Sequence, residues 1–194
     1  MTRTAGAPPA APRARRRAAA LAALAALVVL AVSPTTAASA PDVRDAIVTA
    51  ARRQLGRPFR GDCSGFVLSL LAAAGLRVAL PAARSRSESL YLASRRVEAP
   101  RPGDLAFFHD TYDRDRDGRA NDPYTHVAVV EAVLGRVVLL LHRSGRGIER
   151  VRMDLSRPAD PDANDPVRLP RASDPPGTRC LAGELFAGFG ALAR

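Results

Sequence analysis

The sequence predicts an α+β domain, on three observations. Helical periodicity dominates the first half of the chain after residue 40, β-branched runs dominate the second half, and the two do not alternate. Asp42 to Leu55 reads as a helix with Val43, Ile47, Ala50 and Ala51 on one face, stopped by Gly56. Cys63 to Ala74 reads as a second. Its apolar residues Cys63, Phe66, Val67, Leu70, Leu71 and Ala74 form a continuous buried stripe, and Gly75 ends it. Ser85 to Ser94 is a weaker third helix. After the turn Arg101-Pro102-Gly103, strands are expected at Leu105 to Phe108, His126 to Ala132, Val137 to His142 and Ile148 to Met153. Residues 156–179, rich in Pro and Asp, read as loop, and Leu181 to Leu192 as an apolar closing segment.

Composition bounds the function. The chain has 194 residues, enough for one domain, and a hydrophobic fraction of 47% excludes wholesale disorder. Two cysteines are too few for a disulfide scaffold or a four-thiolate zinc site. With no Trp and 5% aromatics, a stacking platform for single-stranded nucleic acid is excluded. The formal charge is +10, but five arginines lie in residues 1–40, which hold no acid. The remaining 24 Arg face all 19 acids, a net of +5. That mild excess suits an anionic surface such as a bacterial wall and does not call for nucleic acid.

Residues 1–40 carry the pattern of a secretory signal. Arg13 to Arg17 are basic, Ala18 to Val32 is an uncharged apolar run, and small residues follow Ser33-Pro34 up to Ala40. The 15-residue run is shorter than the ~20 residues a membrane span needs. The expectation is export with cleavage after Ala38 or Ala40, leaving no membrane span, an extracytoplasmic location in a periplasm or outside the cell, and a monomer. An uncleaved anchor is the alternative.

Asp62 is a natural N-cap, which puts Cys63 at the first helical position. Free N–H groups and the helix dipole there favour an anion, so the thiol pKa is expected to fall and its nucleophilicity to rise. The alternative is a buried structural cysteine on the apolar stripe. A cysteine nucleophile needs a base, and the base an orienter. Three histidines are available: His109, His126 and His142. A three-residue hairpin loop, Val133-Leu134-Gly135, pairs Ala132 with Arg136 and sets His126 opposite His142, on one face. A one-residue slip would separate them. A Cys63–Cys180 disulfide would silence the nucleophile, so Cys180 is expected to be free and buried.

Between Phe108 and His126, Asp113-x-Asp115-x-Asp117-Gly118 matches the first half of an EF-hand calcium loop. The twelfth position is Tyr124 rather than Glu, with Asp122 or Asn121 available instead. Asp113, Asp115, Asp117 and Asp122 are therefore candidate ligands for a structural calcium that would order the loop before His126. The alternative is a solvated loop neutralised by Arg114 and Arg116.

Ordered motifs along the chain resemble the NlpC/P60 family of papain-like cysteine peptidases. They are Leu55-Gly56-Arg57-Pro58-Phe59, Asp62-Cys63-Ser64-Gly65-Phe66 and Leu80-Pro81 with Ser85 and Ser87. Pro102-Gly103-Asp104-Leu105, Thr125-His126-Val127-Ala128 and Leu141-His142-Arg143-Ser144 complete the set. The resemblance spans roughly residues 43–152. It implies N-terminal helices packed on a central antiparallel sheet, with Cys63 as nucleophile, His126 as general base and His142 as the orienting third residue. Asp62, Ser64 and Phe59 are implied to line the substrate site. No cofactor is implied for the chemistry. The implied reaction is hydrolysis of a peptide bond in peptidoglycan, most often the bond after γ-D-glutamate. Amidase cleavage between sugar and stem peptide, and a silent wall-binding module of the same fold, are the alternatives.

Overall fold

Three helices precede the sheet in the computed structural model, which describes residues 42–192. The signal-peptide expectation for residues 1–40 lies outside the described residues. Helix α1 (Val43–Gln54) starts at Asp42, whose side chain accepts from the Arg44 amide at 3.0 Å. Helix α2 (Cys63–Ala73) starts at Asp62, and α3 (Arg86–Ala93) at Ser85, whose hydroxyl accepts from the Glu88 amide. Each cap satisfies one of the N–H groups that a helix start leaves unpaired. No helix among the described residues is long and apolar enough to cross a membrane.

The strands are β1 (Arg95–Val97), β2 (Leu105–Phe108), β3 (His126–Leu134), β4 (Val137–Ser144), β5 (Gly147–Asp154) and, after the short helix α4 (Ala182–Leu185), β6 (Phe186–Ala191). They form one six-stranded antiparallel sheet in the order β1-β6-β2-β3-β4-β5. The architecture is thus α+β, as expected. Strands β1 and β6 were not expected. The first is three residues, two of them Arg, and the second carries two glycines, which read against a strand. Gly190 has a packing reason: a Cβ there would lie 2.1 Å from Ser94 Oγ, so only Gly lets β6 pass the end of α3.

Alternation along β2, β3 and β4 sorts the core into two layers. Leu105, Phe107, Val127, Val129 and Leu141 face the helices and pack with Ile47, Phe66, Val67, Leu70 and Leu90. Ala106, Phe108, Ala128, Val130 and Leu140 face the other way, against Met153, Val167, Ala182 and Leu185. Each large side chain so buried contributes about 1.5–3 kcal/mol. Residues 156–179 form turns and irregular loop, as expected, but the segment is not confined to the surface: Ala163, Asn164 and Val167 are buried, and Val167 packs in the second layer.

The β3–β4 hairpin differs from the expected one in two compensating ways. Its turn has two residues, Gly135 and Arg136, between the paired Leu134 and Val137. Gly135 takes φ 62°, the left-handed conformation that the first position of such a turn requires. Alone, this odd shift in pairing would put the two histidines on opposite faces. A β-bulge at Glu131 restores the parity: Ala132 pairs with Leu139, but Val130 pairs with Leu140 and Val129 with Leu141. Continued outward, that register sets His126 beside Ser144 and His142 beside Ala128. The histidines share a face as diagonal neighbours, not as the opposed pair expected.

Candidate active site

Cys63 is the first residue of α2, and Asp62 caps the helix by accepting from the Gly65 amide at 2.7 Å. The same carboxylate accepts from Ser64 Oγ at 2.9 Å and from Arg86 at 2.7 Å. Burial pushes the Asp62 carboxyl up, but the Gly65 amide, Arg86 and Ser64 together outweigh it, and the pKa is lowered. Ser64 is 2% exposed, so its hydroxyl serves the cap rather than an open cleft. Phe59 packs edge-on against Phe66, ring centroids 5.5 Å apart, and so braces the start of α2.

The Cys63 sulfur is half-buried against the helix-side core. It lies 3.6 Å from Ser87 Oγ on α3, and the backbone amides of Val127 and Ser64 pull the thiol pKa down. Val127 follows His126 directly, so its effect on the thiol comes from one residue beyond the candidate base, but no hydrogen bond joins the sulfur to either ring. The expected fall in thiol pKa is corrected. Burial pushes the Cys63 thiol up and the Asp62 charge adds to it, while Ser87 and the two amides pull down without cancelling. A sulfur at the first helical position gains from the helix dipole only while solvated, and this one turns inward.

His126 and His142 are buried, and His126 Nε2 lies 2.9 Å from His142 Nδ1. Their rings meet edge to face, at 84°. Burial lowers the His126 pKa to about 4, with the Arg143 guanidinium adding to the effect. Burial lowers His142 to about 3, with His126 adding. One proton lies between two neutral rings. When His126 Nε2 carries it, His126 Nδ1 keeps a lone pair free to accept. His109 stands apart: its Nδ1 accepts from the Tyr124 amide at 3.0 Å.

The two histidines open onto a cleft of about 530 Å³, whose walls include Tyr112, Arg143, Glu149 and Arg168. Sequence reasoning gave these four, and Ser87, no role in the site. Tyr112 belongs to the acidic insertion, and its phenol is pushed up by burial and then by the charges of Cys63 and Asp62. Glu149 pairs directly with His142 across β4 and β5. Arg168 comes from the Pro/Asp-rich segment. Only the hairpin-to-β5 pairing was open to sequence reading, through the Ser144-Gly145-Arg146-Gly147 turn.

In the acidic insertion, carboxylate oxygens of Asp113, Asp115 and Asp122 lie within 4.8 Å of one another. Asp117 is corrected out of this group, since its carboxylate accepts from the Arg119 amide and from Asn121. The donors are hard oxygens, the kind calcium takes. Asp122 is already ion-paired with Arg114 at 2.9 Å, and Asp113 accepts from the Gly118 amide, so the loop holds its shape through its own N–H groups. Cys180 is free, as expected, but only half-buried, with Arg168 Nη1 3.6 Å from its sulfur.

No family model and no curated protein matches the chain. The resemblance to cysteine peptidases therefore rests on the motifs themselves.

Proposed function

We propose that this chain is an exported cysteine hydrolase with a papain-like fold of the NlpC/P60 type. Its substrate is the stem peptide of bacterial peptidoglycan, which it cleaves as a γ-D-glutamyl endopeptidase. The observation that carries the reading is the 2.9 Å contact between His126 and His142, two of only three histidines in the chain. His126 is followed on β3 by Val127, whose backbone amide pulls down the thiol of the helix-capped Cys63.

The chemistry follows from those three groups. Cys63 is the nucleophile, and its proton passes to His126 Nδ1 as the sulfur attacks the scissile carbonyl. Because the thiol is held above its usual range, proton transfer accompanies attack instead of preceding it. His142 accepts from His126 Nε2, which fixes the tautomer and turns the ring, the task of the third member of a triad. The imidazolium then gives its proton to the leaving amine. A water, deprotonated by His126, hydrolyses the thioester and returns the thiol. No metal or cofactor enters these steps. The basic, apolar and small-residue pattern of residues 1–40 supports delivery to the wall.

A zymogram on purified peptidoglycan, with mass spectrometry of the released fragments, tests this. The wild type is expected to clear the substrate and release fragments cut after γ-D-glutamate, and Cys63→Ala to do neither. Clearing by both proteins would reject the cysteine mechanism, and fragments cut between sugar and peptide would reject the bond assignment.

A further inference from the structure

Three arginines reach the cleft beside the histidines, and they differ in what they already hold. Arg168 is held by both oxygens of Asp174, at 2.9 and 2.6 Å. Arg171 stands on the exposed rim. Arg143 is half-buried, and its Nε is enclosed without a hydrogen-bond partner. No carboxylate among the described residues lies within ion-pair distance of it. The cleft's own acid, Glu149, is taken by Arg146 at 3.0 Å. A guanidinium Nε–H buried without an acceptor, on a group with no counter-ion, is costly, and an entering anion relieves that cost.

We propose that Arg143 is the carboxylate-binding residue of this cleft, holding an anionic group of the substrate beside the scissile bond. The planar guanidinium fork matches a carboxylate, and its neighbour His126 fixes how far from the reacting carbonyl the anion sits. The inference deepens the hydrolase reading and rests on it for the identity of the substrate. In a γ-linked glutamyl peptide the main chain runs through the side-chain carboxyl. The α-carboxylate is left free a few bonds from the carbonyl to be attacked, which is the group Arg143 would take.

The first test needs no turnover. Iodoacetate and iodoacetamide alkylate the same thiolate, so the ratio of their rates at Cys63 reports the local field and cancels the thiol pKa. Peptide mapping separates Cys63 from Cys180. The ratio is expected to fall several-fold in Arg143→Gln and less in Arg143→Lys, and an unchanged ratio overturns the proposal. On the wild type, an N-acetylated γ-glutamyl dipeptide is expected to protect Cys63 from iodoacetamide about tenfold better than its α-amide, the scale of one charged hydrogen-bonded pair. Equal protection, or none, overturns it whether or not the variants fold. The hydrolase reading fails separately. If peptidoglycan is uncut while the alkylation ratio still depends on residue 143, the anion site stands and the reaction falls. If the wall is cut but acid and amide peptides share one KM in wild type and Arg143→Gln, the reaction stands and the anion site falls.

Discussion

At neutral pH both imidazoles of the pair are uncharged, because burial holds His126 at about 4 and His142 at about 3 against an ordinary 6.5. The sign of the stability effect follows by linkage. Above pH 6.5 neither the folded nor the unfolded chain binds these protons. Below it the unfolded chain takes them up and the folded chain does not, so stability is lost as pH falls from about 6.5 toward 4. Denaturant melts over that range should show a slope that flattens in His142→Gln, and an equal slope in both proteins would show that the ring is not held neutral. His109, also lowered by burial, adds a smaller share in the same window and stays constant in that comparison. On the proposed mechanism the same substitution is expected to lower kcat by roughly 10²–10⁴ while sparing KM, because there His142 acts through His126. A change confined to KM would move His142 into substrate binding. At this scale the sequence was legible for the Asp62 cap that starts a helix at Cys63 and for the meeting of His126 with His142. It was not legible for the thiol's pKa or for Arg143, because both depend on burial that only the folded chain creates.

The elements decide whether these residues meet, and the β3–β4 hairpin does so through an insertion no periodicity announces. The two-residue turn shifts the expected pairing by three and the bulge takes one back, and only together do these odd shifts return His126 and His142 to one face. Glu131, at the bulge, is 3% exposed and accepts from Arg52 of α1 at 2.8 Å and Arg150 of β5 at 2.7 Å. Those contacts lower its carboxyl, the Arg150 bond contributing most, and fix the bulge from both sides. Glu131→Ala is expected to cost about 1–3 kcal/mol, the lower end reflecting how far both guanidiniums reach into water. Deleting residue 131 is a sharper test. Glu131 is the unpaired residue of the bulge, so its removal leaves Ala132 on Leu139 and Val130 on Leu140, keeps the outer register, and should leave the two rings on one face with turnover retained. Loss of turnover with the far-UV circular dichroism unchanged would show that the bulge itself, and not the register beyond it, holds the pair. Alternating apolar strands, Gly135 and the helix caps made every element from α1 to β5 legible except β1. The bulge was hidden because Glu131 reads as an ordinary outward residue in an alternating strand.

For the whole molecule, the sheet has two faces to cover, and α1, α2 and α3 cover one. The other is closed by the segment after β5, whose Pro and Asp content reads as loop although it acts as a second layer. Asn164 anchors it: 1% exposed, it accepts from the Asp154 amide at 2.9 Å and donates to the Arg157 carbonyl at 2.7 Å. From there the chain runs through the Pro166–Leu181 bridge, and Val167 packs on the sheet while Arg168 turns into the cleft. One side chain thus ties core closure to the wall of the site. Asn164→Ala strands a buried amide N–H and opens a gap, which should cost about 1–3 kcal/mol. It should also loosen the wall carrying Arg168 without reaching Cys63, His126 or His142. Kinetics on a soluble stem peptide are expected to show a raised KM with kcat near wild type, together with a lowered Tm. A fall in kcat at constant KM would instead mean that this layer supports the catalytic pair through the sheet, by way of Phe108, which pairs with His126 and packs on the same face.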